Sequence, residues 1–203
     1  GGFAEVGQKG KALQEELRTI ARETGIRLWG PNCMGLVDAK RRYVFSFVSE
    51  VIWEDGLKTG ETSLIVQSGM LSGAFLIDIM THGVMGISKV CSIGNKSDVD
   101  ECDLLAYLLD DPDTGVVGLY LEGIADGRRF LELCRRSTKP VVLLKGGQSK
   151  RGAAAAMSHT ASMAGDAAVL RGVLDQVGVT AASDFKEMMD ICRTLAAFPD
   201  TSH

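Results

Sequence analysis

Thr62-Ser63-Leu64-Ile65-Val66 is a short apolar run, and Gln67-Ser68-Gly69-Met70-Leu71-Ser72-Gly73 follows it as a turn of small residues leading straight into a helical pattern. A strand that passes into a helix through small residues is half of a βαβ unit. The same unit recurs down the chain. Strands are expected near 62–66, 87–91, 115–121, 141–145 and 177–181, and helices near 70–82, 101–109, 126–136, 166–176 and 183–197. Short apolar strands alternating with amphipathic helices predict a parallel sheet covered on both faces.

Strands and helices in strict alternation predict an α/β domain with a flavodoxin-like, doubly wound, parallel five-stranded sheet, whose usual strand order is 2-1-3-4-5. Ligands of such sheets lie beyond the carboxyl ends of the strands, so the loops there carry the functional reading. Ahead of this domain, Gly1-Gly2-Phe3-Ala4-Glu5 leads into a helical pattern (Leu13, Leu17, Ile20, Ala21) that ends at Gly25, and a short strand is expected at 26–29. That combination reads as the last βα unit of a Rossmann-like domain whose front is missing, and the piece as part of a longer protein. The expected division is a domain remnant over 1–37, an irregular linker over 38–57 that contains Lys40-Arg41-Arg42, and the regular domain over 58–200.

Composition narrows the classes. At 203 residues, with 45% hydrophobic and 24% charged side chains, the chain can bury an ordinary globular core. No apolar run reaches the roughly 18 residues that span a bilayer, nothing resembles a signal peptide, and a cytoplasmic location is expected. A net charge of -4 argues against nucleic acid or an anionic membrane as partner. The 5 cysteines are widely spaced and form no C-x-x-C pair, so they read as buried thiols and not as a metal site or a disulfide frame.

Four loops at strand ends stand out. Ser68, Gly69 and Met70 begin a helix whose free N-H groups and dipole suit a phosphate. The alternative is a well-capped helix start, and the segment is neither a Walker A loop nor a G-x-G-x-x-G turn. In Gly94-Asn95-Lys96-Ser97-Asp98-Val99-Asp100, Asn95 and Lys96 can reach an anion or simply form a solvated turn, and Asp100 reads as a helix cap. No metal site is expected. Glu122 ends the apolar strand before Gly123-Ile124, and a carboxylate so placed needs a partner, because stranding its charge costs several kcal/mol. The fourth is the long stretch from Gly146-Gly147-Gln148-Ser149-Lys150-Arg151-Gly152 to Met157-Ser158-His159-Thr160-Ala161-Ser162-Met163-Ala164-Gly165. His159 there is either a solvated loop histidine or a functional one. Were Glu122 its partner, the carboxylate would fix one ring nitrogen as donor and leave the other as nucleophile. A histidine, an orienting carboxylate and a phosphate-suited helix start together describe a phosphohistidine site.

These motifs, with Gly2-Phe3-Ala4-Glu5 and Gly30-Pro31-Asn32-Cys33-Met34-Gly35, give the whole chain a resemblance to the α subunit of the NDP-forming acyl-CoA synthetases, a family that includes succinyl-CoA synthetase and ADP-forming acetyl-CoA synthetase. The resemblance implies an acid-CoA ligase that interconverts acyl-CoA, phosphate and NDP with carboxylic acid, CoA and NTP. It implies that His159 is phosphorylated on a swinging loop, that Glu122 steadies it, and that Ser68, Gly69 and Met70 face the phosphate. Asn32, Cys33, Gly94, Asn95 and Lys96 would line the coenzyme A and acyl-phosphate end. Residues 1–37 would then be the end of a CoA-binding domain. ADP/ATP or GDP/GTP and Mg would be bound by an ATP-grasp domain or β subunit outside this chain, in an oligomer. Ala161 departs from the family's usual glycine beside the histidine, which touches local loop flexibility only. The alternative is a synthetase-like acyl-CoA or nucleotide sensor, for instance one fused to an acetyltransferase; retention of His159 with Glu122 favours the enzyme.

Overall fold

Alternate residues of the central strand face opposite layers of helices, and this alternation builds the core. The computed structural model describes residues 2–46, 52, 54, 56–83, 85–147 and 167–199. In chain order they form α1 (Gln8–Thr24), β1 (Gly35–Asp38), β2 (Tyr43–Ser46), β3 (Thr59–Val66), α2 (Gly69–His82), β4 (Ile87–Ser92), α3 (Glu101–Asp110), β5 (Val116–Leu121), α4 (Gly127–Arg136), β6 (Val141–Lys145), α5 (Ala167–Gln176), β7 (Val179–Ala182) and α6 (Phe185–Ala197). Leu64 and Val66 of β3 pack with Phe75, Leu76 and Ile79 of α2 and with Met188, Met189 and Cys192 of α6. Ile65 points the other way, into a second cluster that includes Leu105 and Leu108 of α3, Phe130 and Leu133 of α4 and Leu174 of α5. The period of two along a strand thus assigns each residue to one helical layer.

Helix starts follow from local chemistry. The side chains of Ser68, Asp100, Asp126 and Asp184 each accept a hydrogen bond from a first-turn N-H of the helix they precede. Four parallel pairings, β4-β3, β3-β5, β5-β6 and β6-β7, give the expected 2-1-3-4-5 order for the repeating part of the chain.

Two expectations need correction. The sheet is seven-stranded, in the order β2-β1-β4-β3-β5-β6-β7, and not five-stranded. β1 runs antiparallel to both β2 and β4, so a hairpin extends the edge of the parallel sheet. β2 lies inside the stretch read as linker. The hairpin strands span only 35–38 and 43–46, with the basic residues Lys40, Arg41 and Arg42 at their turn, so neither carries an apolar run of its own. Long-range bonds hold them instead: Ala39 N donates to Ser88 O at 2.8 Å, and Val37 is fully buried against the α2 face. Residues 26–29 form no strand. Leu28 N donates to the Asp98 carboxylate at 2.7 Å, and Leu28 O and Gly30 O accept from Val99 N and Ser97 N. The segment runs along the loop after β4 and does not enter the sheet.

Candidate functional site

The carboxyl ends of β3, β4, β5 and β6 open on one side, and the loops that leave them are tied together by side chains. At the end of β3, Ser68 caps α2: its Oγ accepts from Leu71 N at 3.3 Å, and its carbonyl accepts from Ser72 N and from the Ser72 hydroxyl. The Ser68 hydroxyl oxygen thus serves as the cap of α2. A β-carbon on Gly69 would lie 3.4 Å from Met34 N, so the helix start packs on the loop that carries Asn32 and Cys33. Met70 projects outward, 87% exposed.

The loops of Asn32 and Asn95 fold onto each other. Gly94 has φ 54, and a β-carbon there would stand 2.1 Å from Pro31 O, so only glycine fits. Asn95 N donates to Pro31 O at 2.9 Å, and Asn32 Nδ2 donates to Asn95 Oδ1 at 3.3 Å. Asn95 Nδ2 in turn donates to Glu5 Oε2 and Gln14 Oε1, which ties in the start of the chain. Burial alone would raise the Glu5 carboxyl. Hydrogen bonds from its own and the Phe3 N-H and from the side chains of Asn95 and Asn32 outweigh that and hold it at about 2. Asn32 and Lys96 both adopt left-handed backbone, at φ 56 and φ 50. Such conformations cost on the order of 1–3 kcal/mol each for residues other than glycine and collect where the surroundings dictate them. Cys33 is half-buried and burial raises its thiol, while Cys91, Cys102, Cys134 and Cys192 are buried with thiols pushed up to about 12. Cys91, Cys102, Cys134 and Cys192 are thus buried thiols, as expected, while Cys33 is the exception in being only half-buried. Among the described residues no group of three His, Cys, Asp or Glu side chains is arranged to hold a metal ion.

Glu122 follows β5. Its backbone N-H and that of Gly123 both donate to Gln67 Oε1, at 2.8 and 3.2 Å. Lys145 Nζ donates to Glu122 O at 2.6 Å and to Gly146 O at 2.8 Å. Burial lowers the Lys145 ammonium, the Glu122 charge opposes this, and the Lys96 charge adds to it. A β-carbon on Gly146 would lie 2.7 Å from Tyr120 Oη and 3.3 Å from Glu122 Cγ. The Glu122 side chain thus lies beside the first residue of the segment that leads to His159. Residues 148–166, His159 among them, lie outside the described residues, as does the expected freedom of that loop. Lys96 directs its ammonium inward, to the Glu101 carboxylate at 2.8 Å and Gly123 O at 2.8 Å.

The structure therefore brings Asn32, Cys33, Ser68, Gly69, Met70, Gly94, Asn95, Lys96 and Glu122 to one end of the sheet. Residues 59–195 match the model of the family described as the succinyl-CoA ligase like flavodoxin domain. The chain belongs to this family. Over 98% of its length the succinyl-CoA ligase-like chain is 36% identical to an ADP-forming acetate–CoA ligase II of Archaeoglobus fulgidus, of which it spans 29%. It is 38% identical over 98% of its length to the α subunit of ADP-forming acetate–CoA ligase I of Pyrococcus furiosus, spanning 42% of that protein. A solved structure of the dinucleotide-forming acetyl-coenzyme A synthetase 1 of Ca. Korarchaeum cryptofilum, in complex with phosphate and ADP, superposes with a TM-score of 0.86 at 36% identity, covering 97% of this chain and 41% of that one. These relatives bear out the resemblance to the NDP-forming acyl-CoA synthetases. Among the described residues of this family member, no helix is long and apolar enough to cross a membrane.

Sequence reasoning passed over Gln67, Glu101 and Lys145. Gln67 stood inside the Gln67-Ser68-Gly69 motif, but an amide gives no sequence signal of which backbone groups it serves. Glu101 looked like any acidic residue in a first helical turn, and its complete burial is a tertiary fact.

Proposed function

We propose that the chain is the flavodoxin-like part of an acid-CoA ligase (NDP-forming) working through phosphorylated His159. Acyl-CoA and phosphate give acyl phosphate and free CoA: the thioester breaks and an acyl-oxygen bond to phosphate forms. The phosphoryl group then passes to a ring nitrogen of His159, releasing the carboxylate, and from there to a nucleoside diphosphate. Glu122 would accept a hydrogen bond from the N-H of the other ring nitrogen and so hold the nucleophilic tautomer. The start of α2 at Ser68, Gly69 and Met70 would bind the phosphate through backbone N-H groups and the helix dipole. Asn32, Cys33, Gly94, Asn95 and Lys96 would shape the coenzyme A and acyl-phosphate end.

The observation that carries this reading is the junction made by Gln67, whose amide oxygen joins the Glu122 turn to the residue before the α2 cap. It is supported by relatives named as ADP-forming acetate–CoA ligases and by a similar structure described with phosphate and ADP. Those names favour the ligase over the sensor. Since the chain spans 29–42% of these relatives, the remaining machinery is also part of the proposal. It comprises an ATP-grasp domain or β subunit that binds nucleotide and Mg, an oligomeric assembly, a small carboxylic acid substrate and a cytoplasmic setting. On this reading residues 1–37 end a CoA-binding domain and 58–200 form the ligase domain, with 38–57 between them. Incubating the protein and its ATP-grasp partner with γ-labelled ATP and Mg should label the chain. His159→Ala should abolish the label, and label that survives the substitution overturns the assignment.

A further inference from the structure

We propose that Gln67 is a positioning residue for Glu122, fixing the turn that bears the carboxylate against the start of α2, with the buried Lys96–Glu101 pair as a second hold on the same turn. The inference rests on the reading of Glu122 as the partner of His159. Side chains from three other strand ends grip this turn by its backbone. Glu122 N and Gly123 N donate to Gln67 Oε1, and Glu122 O accepts from Lys145 Nζ. Gly123 O accepts from Lys96 Nζ, and Ala125 N donates to Glu101 Oε1. Gln67 is 7% exposed and its own N-H donates to Tyr120 O, so it lies fixed between β5 and the α2 cap. Moving Glu122 relative to Ser68 requires breaking both bonds to its amide oxygen.

The ion pair makes the same point from the other side. The Lys96 side chain is 10% exposed and that of Glu101 is fully buried. Burying such a pair is a poor route to stability, because apolar residues of similar volume are often as good or better. What apolar residues would not supply is the donor for Gly123 O and the acceptor for Ala125 N. Lys96 also holds a left-handed backbone to bring its ammonium there. Both features are explained if the placement of the 122–125 backbone is what the pair serves.

The test is a double-mutant cycle on the rate of His159 phosphorylation, in the intact protein with its ATP-grasp partner. It compares wild type, Gln67→Met, Glu122→Gln and the double variant. A misplacement of about 1 Å can cost on the order of 10²-fold, so Gln67→Met is expected to slow labelling at least about tenfold alone and less than about twofold in the Glu122→Gln background. A purely structural role would cost the same in both backgrounds; that result, or a rate unchanged in both, overturns the inference. If Gln67→Met fails to fold, the neutral pair Lys96→Met with Glu101→Gln, which keeps an acceptor for Ala125 N, enters the same cycle with the same expectation. Label retained by His159→Ala, or a wild-type rate in Glu122→Gln, overturns the underlying reading instead.

Discussion

Each end of the sheet buries a lysine, and the two are held in different ways. At the amino ends, Lys89 of β4 is 3% exposed, with Nζ 2.6 Å from Asp111 and 4.0 Å from both Asp38 and Asp113. Asp111 also accepts from Thr114, whose hydroxyl meets that of Ser63, and Arg41 bridges Asp38 and Asp113. These are mostly side chains satisfying side chains, a closed network that staples the β1–β2 hairpin to β4 and to the loop before β5. At the carboxyl ends, Lys96 and Glu101 form an ion pair at 2.8 Å, and each reaches on to the backbone of the Glu122 turn. The first arrangement fastens elements together; the second sets the course of a loop. The same residue types serve stability at one end and placement at the other, and only the partners distinguish them.

That contrast can be broken by substitution. The largest stability effect is expected from Lys89→Met, which leaves Asp111 buried without its cation. The loss should be about 3–5 kcal/mol in urea denaturation, with the amides of Glu122 and Gly123 keeping their hydrogen-exchange protection relative to global unfolding. A loss below about 1 kcal/mol would remove the amino-end network as a staple. Next comes Gly94→Ala, which meets Pro31 O at 2.1 Å and forces φ 54 on a residue with a β-carbon. It should destabilise by more than about 1 kcal/mol and shift the amide resonances of Pro31's neighbours and Asn95, leaving those around Lys89 in place. Ser68→Ala removes the cap of α2 and should cost about 1 kcal/mol, with faster amide exchange confined to the first turn of that helix.

The smallest effect is a pH dependence at the carboxyl end. The Glu5 carboxyl lies at about 2 against an ordinary 4.5, so its hydrogen bonds stabilise the folded chain fully above about pH 4.5. That contribution fades as the pH falls through about 2. An NMR titration of the Gly2 and Asn95 amides should show a midpoint near the lower value, and a midpoint near 4.5 would mean that Asn95 and the chain start are not joined as described.

Much of the repeating fold was legible in the sequence because it rests on local pattern. β3 to β7 each fall on an expected strand, and the helix caps Ser68 and Asp100 precede their helices. The hairpin of β1 and β2 was not legible, since its strands are four residues each and their alternation is read only against β4. The meeting of the 67–70, 94–97 and 121–123 loops followed from the rule that strand ends converge, whereas the 30–35 loop joins them through hydrogen bonds to the 94–97 loop. Their wiring did not: a glutamine, a lysine and a glutamate in those loops look alike whether they face solvent or a backbone carbonyl. Lys96 illustrates this, as its charge suggested a ligand while its position binds it to Glu101 and Gly123.

The central claim is that Glu122 and the start of α2 are arranged for a phosphoryl group carried on His159. Mapping the phosphorylated peptide by mass spectrometry, after brief exposure of the intact protein to ATP and Mg at alkaline pH to preserve phosphoramidates, tests it directly. The account predicts one acid-labile phosphoryl group on His159 whose yield falls in Glu122→Gln. Phosphate on another residue, or none on His159 under turnover, would contradict it.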